Sequence, residues 1–258
     1  MAHTDEYDEA MLAAMDLIWG EGFMAPGGEG HVDKLVAGLS LAGRRVLDIG
    51  CGQGAPACYL AARHGARVTG TDLEGHLVER ARGRAQRLQL DDRVRFLQVA
   101  PGPLDFDDAS FDVVLSTGAF TQIEDKLAMF RECRRVLRPG GFLRAYDWMK
   151  TDGAYSEAMC EWLALEGLTY AMVTAGEQAA MLAEAGFSDP LVTDASPWYR
   201  RQVRREYEDL AGPLRPRLVA LLGETQAAHF VDNWRAACRV CESGELRQVY
   251  TTAHCGAR

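Results

Sequence analysis

Val46-Leu47-Asp48-Ile49-Gly50-Cys51-Gly52-Gln53-Gly54 is the stretch whose reading decides the fold of this chain. A short apolar strand starting at Arg45 runs directly into a cluster of glycines, and a helix follows from about Ala55 to His64. Glycine in such a turn leaves no Cβ between the backbone and a ligand, so a molecule can approach the chain closely. Phosphate-binding versions of the turn offer a helix N-terminus to a pyrophosphate. Here an acid, Asp48, precedes the first glycine. A carboxylate in that place suits a ligand with an ammonium group and repels phosphates.

Outward from this turn, strand and helix alternate. Strands are predicted at Ala66 to Thr71, Val94 to Val99, Phe111 to Ser116 and Phe142 to Tyr146. Helices are predicted across Gly75 to Leu88 and Lys126 to Leu137, the second stopped by Arg138-Pro139-Gly140-Gly141. Alternation at this pitch means a parallel sheet covered on both faces. Asp72 ends the second strand about 20 residues after the turn, where an acid can accept both hydroxyls of a ribose. After Asp147 the pattern changes: 153–185 and 199–240 read as mostly helical, and Val249 to Ala253 as a last strand. Helices added late to such a sheet roof the ligand crevice above the strand ends.

Composition bounds the partners. The 258 residues are 48% apolar and 25% charged, ordinary for a globular core, and carry a net charge of −9. An acidic chain without a basic footprint is not expected to bind nucleic acid. No window reaches the ~20 apolar residues of a membrane span, and the polar N-terminus, Met1 to Glu9, does not read as a secretory signal. Seven irregularly spaced cysteines read as reduced thiols, which places the chain in the cytoplasm. The six histidines show no metal-ligand spacing, so no metal site is expected. A monomer or a homodimer fits equally well.

S-adenosylmethionine carries both an ammonium and a sulfonium, so the charge of Asp48 favours it over a nicotinamide dinucleotide. The dinucleotide would also ask for a third glycine at its own spacing. With Asp72, Phe111-Asp112-Val113-Val114 and the Leu137-to-Gly141 turn, 34–147 resembles the class I methyltransferases. A closer resemblance reaches both ends of the chain. Ile18-Trp19-Gly20-Glu21-Gly22-Phe23, Ile123-to-Phe130, Val231-Asp232-Asn233-Trp234 and Ser243-to-Arg247 are similar to phosphoethanolamine methyltransferases. Asp147-Trp148-Met149-Lys150 is similar to sarcosine and dimethylglycine methyltransferases.

The resemblance implies an α/β, Rossmann-like fold: a seven-stranded, mostly parallel sheet with a helical cap over its C-terminal edge. It implies a lid helix and loop over 1–33, a cofactor-binding core over 34–148, and a substrate cap with the final strands over 149–258, all in one compact domain. S-adenosylmethionine is the implied cofactor, held by Asp48, Gly50, Gly52, Asp72, Leu73, Ala100 and Thr117. Tyr7 falls where the family has a tyrosine that closes the site and joins a Tyr–His pair. The histidine position of that pair is Gln122, and an aspartate position beside it is Gly118. An acid that meets the adenine is replaced at or near Ala100, and Trp148 stands where a substrate-binding tyrosine is expected. The arginine and tyrosine that grip phosphate align loosely with Glu166 and Leu168, so phosphoethanolamine is not the expected acceptor.

Methyl transfer mainly needs alignment of nucleophile, methyl and sulfur with water excluded. An ammonium must also lose a proton, and Gln122 can only orient by hydrogen bonds. The acceptor therefore needs no base, or Tyr7 or a water relays the proton, or His229 or His254 acts from the cap. Trp148, Trp19, Trp162 and Tyr199 are candidates to face a cationic acceptor with an aromatic ring. Arg200 and Arg247 are candidates to pair with an acceptor carboxylate. The expected reaction is methylation of the nitrogen of a small amine or amino acid. S- or O-methylation of another small metabolite is the alternative, and a catalytically silent cofactor binder a third.

Overall fold

Strand β1 (Arg45–Ile49) lies inside a seven-stranded sheet of a computed structural model that describes residues 7–256. Its side chains alternate between two cores, as a strand covered on both faces requires. Val46 joins the core under one face, and Leu47 and Ile49 join the core under the other. β2 (Arg67–Asp72) and β3 (Val94–Gln98) extend the sheet on one side of β1. On the other side stand β4 (Phe111–Thr117) and β5 (Leu137–Lys150), and all these pairings are parallel. β7 (Leu246–His254) runs antiparallel to β5, and β6 (Ser188–Asp194) antiparallel to β7. The order β3-β2-β1-β4-β5-β7-β6 reverses direction between β1 and β4. Ligands of doubly wound sheets bind at that reversal, outside the strand C-termini.

Helices α2 (Gly28–Leu35), α3 (Ala55–His64) and α4 (Gly75–Arg87) cover one face with Leu35, Leu60 and Val78. Helices α5 (Lys126–Val136) and α7 (Ala175–Glu184) cover the other with Phe130, Cys133 and Leu182. A third core holds the cap together. It joins α1 (Glu9–Trp19), α6 (Glu157–Glu166), α8 (Ser196–Ala211) and α9 (Arg215–Ser243) through Ala14, Trp162, Tyr199 and Trp234. α9 kinks at Gly223, whose backbone is not helical.

The fold matches the α/β, mostly parallel, seven-stranded expectation, with two differences of extent. β5 runs on past Tyr146 through Asp147 and Trp148, because β7 pairs with it as far as Lys150. The first cap segment is not one helical run. The chain leaves helix after Glu166, and 167–174 crosses the cavity mouth before a Thr174–Glu177 capping box starts α7. The crossing is pinned where Ala171 N donates to Thr121 O (2.9 Å) and Lys150 N to Val173 O (3.1 Å). No helix among the described residues is long and apolar enough to cross a membrane.

Candidate active site

A cavity of about 870 Å³ opens at the C-terminal ends of β1, β2, β4 and β5. One half is the glycine turn. Gly50 has φ +70°, and a Cβ added there would stand 2.3 Å from the Cβ of Ala119. The amides of Gly50 and Cys51 both donate to Thr71 O (2.8 and 3.0 Å), which clamps the turn against β2. Asp72 ends β2 facing this turn; its Oδ2 accepts from Gly52 N (2.8 Å) and its Oδ1 from Glu74 N (3.0 Å). A carboxylate has about four lone-pair sites, so Asp72 keeps acceptor capacity on the cavity wall it lines. Leu73, Leu77, Ala100 and Leu104 supply an apolar slot beside it, and Thr117 closes the slot from β4.

The other half is assembled from distant pieces. Tyr7, Trp19 and Met24 come from the N-terminal segment, and Gln122 from the turn after β4. Tyr146, Asp147 and Trp148 come from the end of β5, Glu166 from the end of α6, Tyr170 from the crossing, and Gln248 from β7. Trp148 meets Tyr170 edge-on at 5.7 Å between centroids, and Tyr170 stacks on Trp162 at 5.9 Å. Glu166 accepts from Tyr170 Oη (2.8 Å) and Asn233 Nδ2 (2.6 Å), and burial raises its carboxyl above the usual range. Asp147 is 2% exposed; burial raises its carboxyl to about 7, against the pull of Lys126 and the Thr121 amide. Tyr146 Oη, Asp147 Oδ2, Trp148 Nε1 and Gln248 Oε1 are buried with no hydrogen-bond partner among the described residues.

Of the residues singled out by sequence, Tyr7, Trp19, Gly50, Gly52, Asp72, Leu73, Ala100, Thr117, Gln122 and Trp148 all lie on the cavity wall. Others do not. Asp48 is fully buried beneath the wall, with neither carboxylate oxygen partnered among the described residues. Burial and the charge of Asp72 raise its carboxyl to about 8. Asp48 therefore does not present a ready negative charge to the cavity, because its side chain is fully buried on β1 and does not line the wall. Trp162 and Tyr199 are cap core residues behind Trp148 rather than wall residues. Arg200 and Arg247 stand off the wall, and the charge of both acts on Asp194 at the end of β6. His229 bonds Leu165 O (3.0 Å), and His254 packs on Phe142 at the opposite end of β7; neither lines the cavity.

Tyr170 and Gln248 line the site although no motif marks them, and Asp147 lines it although it figures in the sequence only within the Asp147-to-Lys150 stretch, with no role of its own. Asp147 carries one legible signal, its place at the C-terminal end of a parallel strand, where crevice ligands sit. Gln248 carries none, since only antiparallel pairing with Trp148 brings it there.

The sheet order and the position of the cavity define the class I methyltransferase fold. Phosphoethanolamine methyltransferase 2 of Haemonchus contortus, solved with S-adenosylmethionine, shares it with a TM-score of 0.91 at 23% identity. That match covers 99% of this chain and 59% of the other. The methyltransferase domain family matches residues 47–145. A 27-O-demethylrifamycin SV methyltransferase of Amycolatopsis mediterranei is 37% identical over 183 residues, 70% of this chain and 67% of that protein. Phosphoethanolamine N-methyltransferase 1 of Arabidopsis thaliana is 27% identical over 94% of this chain, which spans 48% of its length. The chain belongs to the class I S-adenosylmethionine-dependent methyltransferases, and it is an enzyme whose methyl donor is S-adenosylmethionine. The first half of the cavity suits that cofactor: a Cβ-free turn, a carboxylate with acceptor capacity left for a ribose, and an apolar slot for a base.

Proposed function

We propose that the enzyme methylates the nitrogen of a small amine that carries no phosphate. One observation carries this reading: the acceptor half of the cavity presents carboxylates and aromatic rings, and no cation is left over for an anion. Among the described wall residues the one basic side chain is Arg131, and it pairs with Glu184 at 2.9 Å. A phosphate dianion would meet Glu166 and Asp147 in a site of low dielectric, where like charges repel strongly. A substrate ammonium meets the same carboxylates favourably, and the faces of Trp148, Trp19 and Tyr170 add cation–π attraction of roughly 0.5–2 kcal/mol each.

S-adenosylmethionine supplies a sulfonium-bound methyl group that is electrophilic and sheds its charge as the new bond forms. Asp72 would hold its ribose, Gly50 and Gly52 would let it lie against the turn, and Leu73, Ala100 and Thr117 would line its base. The N-terminal segment, with Tyr7, Trp19 and Met24 on the wall, acts as a lid that excludes water. Gln122 orients the acceptor by hydrogen bonding and takes no proton.

O-methylation of a hydroxyl compound is the second reading. It is supported by the 37% identity to a 27-O-demethylrifamycin SV methyltransferase, and by the unpartnered acceptor Gln248 Oε1, which suits a hydroxyl as well as an N–H.

A radiolabelled-methyl assay separates the readings. Purified enzyme is given labelled S-adenosylmethionine with ethanolamine, sarcosine, a longer primary amine, phosphoethanolamine and a set of hydroxy compounds. Label is expected in the amines and not in phosphoethanolamine. Transfer to phosphoethanolamine above the free amines, or to hydroxy compounds alone, overturns the proposal.

A further inference from the structure

Gln122 leaves the reaction without the base that an ammonium acceptor needs, and the cavity wall contains a carboxyl that can take that place. We propose that Asp147 is the proton acceptor of the reaction, receiving the N–H proton of the acceptor on its Oδ2. The inference rests on the amine reading above and adds the residue that makes it chemically complete.

The geometry separates the two oxygens of Asp147. Oδ1 is tied down: it accepts from Thr121 N (3.2 Å) and Thr121 Oγ1 (3.4 Å). The same Oγ1 accepts from Trp148 N (3.1 Å), so one threonine fixes the carboxyl and the strand that follows it. Gln248 locks the other side, its Nε2 donating to Asp147 O at 2.8 Å. Oδ2 is buried and has no partner among the described residues, although Asp147 lines the cavity. Gln248 Oε1 is in the same condition on the neighbouring strand. A carboxyl serving only as a structural tie would use both oxygens, because an unpartnered buried acceptor is costly. A bound amine satisfies both atoms, with one N–H to Oδ2 and another to Gln248 Oε1.

Two other titratable groups nearby are unsuited. Burial raises the Tyr146 hydroxyl well above its ordinary value, which makes its phenolate inaccessible near neutrality. His31, at about 3 through burial and Lys34, meets Tyr146 edge-on and is not on the wall. The groups facing Asp147 are Lys126 from α5, Tyr146 from its own strand, Thr121 from the turn after β4 and the neutral Gln248 from β7. Burial raises the Asp147 carboxyl to about 7, and Lys126, Thr121 and the Phe120 amide restrain the rise. A base serves best when its pKa is near the working pH, since it is then both ionised and basic.

The step balances. The ammonium N–H bond breaks and its proton passes to Oδ2. Carboxylate and ammonium become neutral acid and neutral amine, and the electron pair of the broken bond stays on nitrogen for the new N–C bond. After product leaves, the proton returns to solvent.

The test is the pH dependence of kcat with the amine turned over fastest in the panel, in the wild type and three variants. Wild-type kcat should climb about tenfold per pH unit below pH ~7 and then level, reporting a group of the enzyme–substrate complex. Asp147→Asn should lose about 100-fold or more in kcat, with its remaining rise displaced to the ionisation of the amine itself. It should bind S-adenosylhomocysteine with unchanged affinity. Lys126→Met and Thr121→Val act on a positioning residue each. Both remove a group that stabilises the ionised carboxylate, so both should move the rise to higher pH while the plateau rate stays closer to wild type. An Asp147→Asn enzyme within threefold of wild type, or one that keeps the wild-type rise, overturns the assignment. If Asp147→Asn fails to bind S-adenosylhomocysteine, the other two variants decide, and an unmoved rise in both overturns it. The amine reading itself fails only in the wild-type acceptor panel, so the two failures are told apart.

Discussion

At the donor end of the cavity the fixed polar groups come from one short piece of chain and the strand beside it. Gly52 N donates to the Asp72 carboxylate, and the amides of Gly50 and Cys51 are clamped by Thr71 O. At the acceptor end the groups come from the N-terminal segment, the turn after β4, the end of β5, the crossing at 167–174 and β7. The donor end is therefore a local motif whose turn has its backbone hydrogen bonds satisfied, although the Asp48 carboxyl buried beneath it is unpartnered among the described residues. The acceptor end is a tertiary assembly that leaves Tyr146 Oη, Asp147 Oδ2, Trp148 Nε1 and Gln248 Oε1 without partners among the described residues. Buried polar atoms without partners mark places where a ligand completes the hydrogen bonding. The cofactor end can stay constant while the acceptor end is rebuilt, because few residues belong to both.

Breaking the donor end should have the largest effect. Gly50→Ala places a Cβ 2.3 Å from that of Ala119 at a left-handed φ. Calorimetry should show S-adenosylhomocysteine affinity reduced by about 100-fold or more, equivalent to about 3 kcal/mol. Unchanged affinity would mean that the turn yields, and that close packing there does not shape the cofactor site. Asp72→Asn comes next. A hydrogen bond to a charged group contributes about 1.5–3 kcal/mol, so a loss of about 10- to 100-fold in cofactor affinity is expected. The KM for the acceptor should stay close to wild type, and a matching change in both would show that the two halves are coupled.

Glu166→Gln tests the acceptor end alone. It removes the charge while keeping a side-chain oxygen for Tyr170, and about a tenfold rise in KM for amines is expected from loss of one charge-assisted contact. Affinity for S-adenosylhomocysteine should not change. A neutral hydroxy acceptor should be much less affected, and equal loss for both acceptors would remove Glu166 from specificity.

The smallest expected effect concerns Asp48. Its folded carboxyl, at about 8, lies above its ordinary unfolded value of 3.8. The folded state therefore binds the proton more tightly, and the contribution to stability is fully present below the unfolded value. It falls as pH rises towards 8 and is lost above it. Asp48→Asn removes that loss. Its melting temperature relative to wild type should be higher at pH 8 than at pH 5, by roughly 2–4 °C for each kcal/mol recovered. The same difference at both pH values would show that Asp48 is not protonated in the fold.

The sequence by itself determined the sheet, the turn and Asp72. These depend on residues close together in the chain: apolar runs of strand length, glycines that set the backbone, and an acid at a strand end. Alternation accounts for the parallel run within β1 to β3 and from β4 to β5, since each crossover helix returns the chain to the same end of the sheet, while a helix-free loop joins β3 to β4. The acceptor chemistry was decided by tertiary structure. Trp148 is the better placed in the sequence, following the acid of the fifth strand, but Tyr199 and Trp162 are candidates beside it, and burial behind Trp148 is what removes them from the wall. Asp48 looks like the charge that meets a cationic ligand, and burial in a central strand raises its carboxyl instead. Asp147 and Gln248, 101 positions apart in the chain, become neighbours only through the antiparallel pairing of β5 and β7. A charge or an acceptor atom gains its function from what surrounds it, and in this half of the cavity the surroundings come from distant parts of the chain.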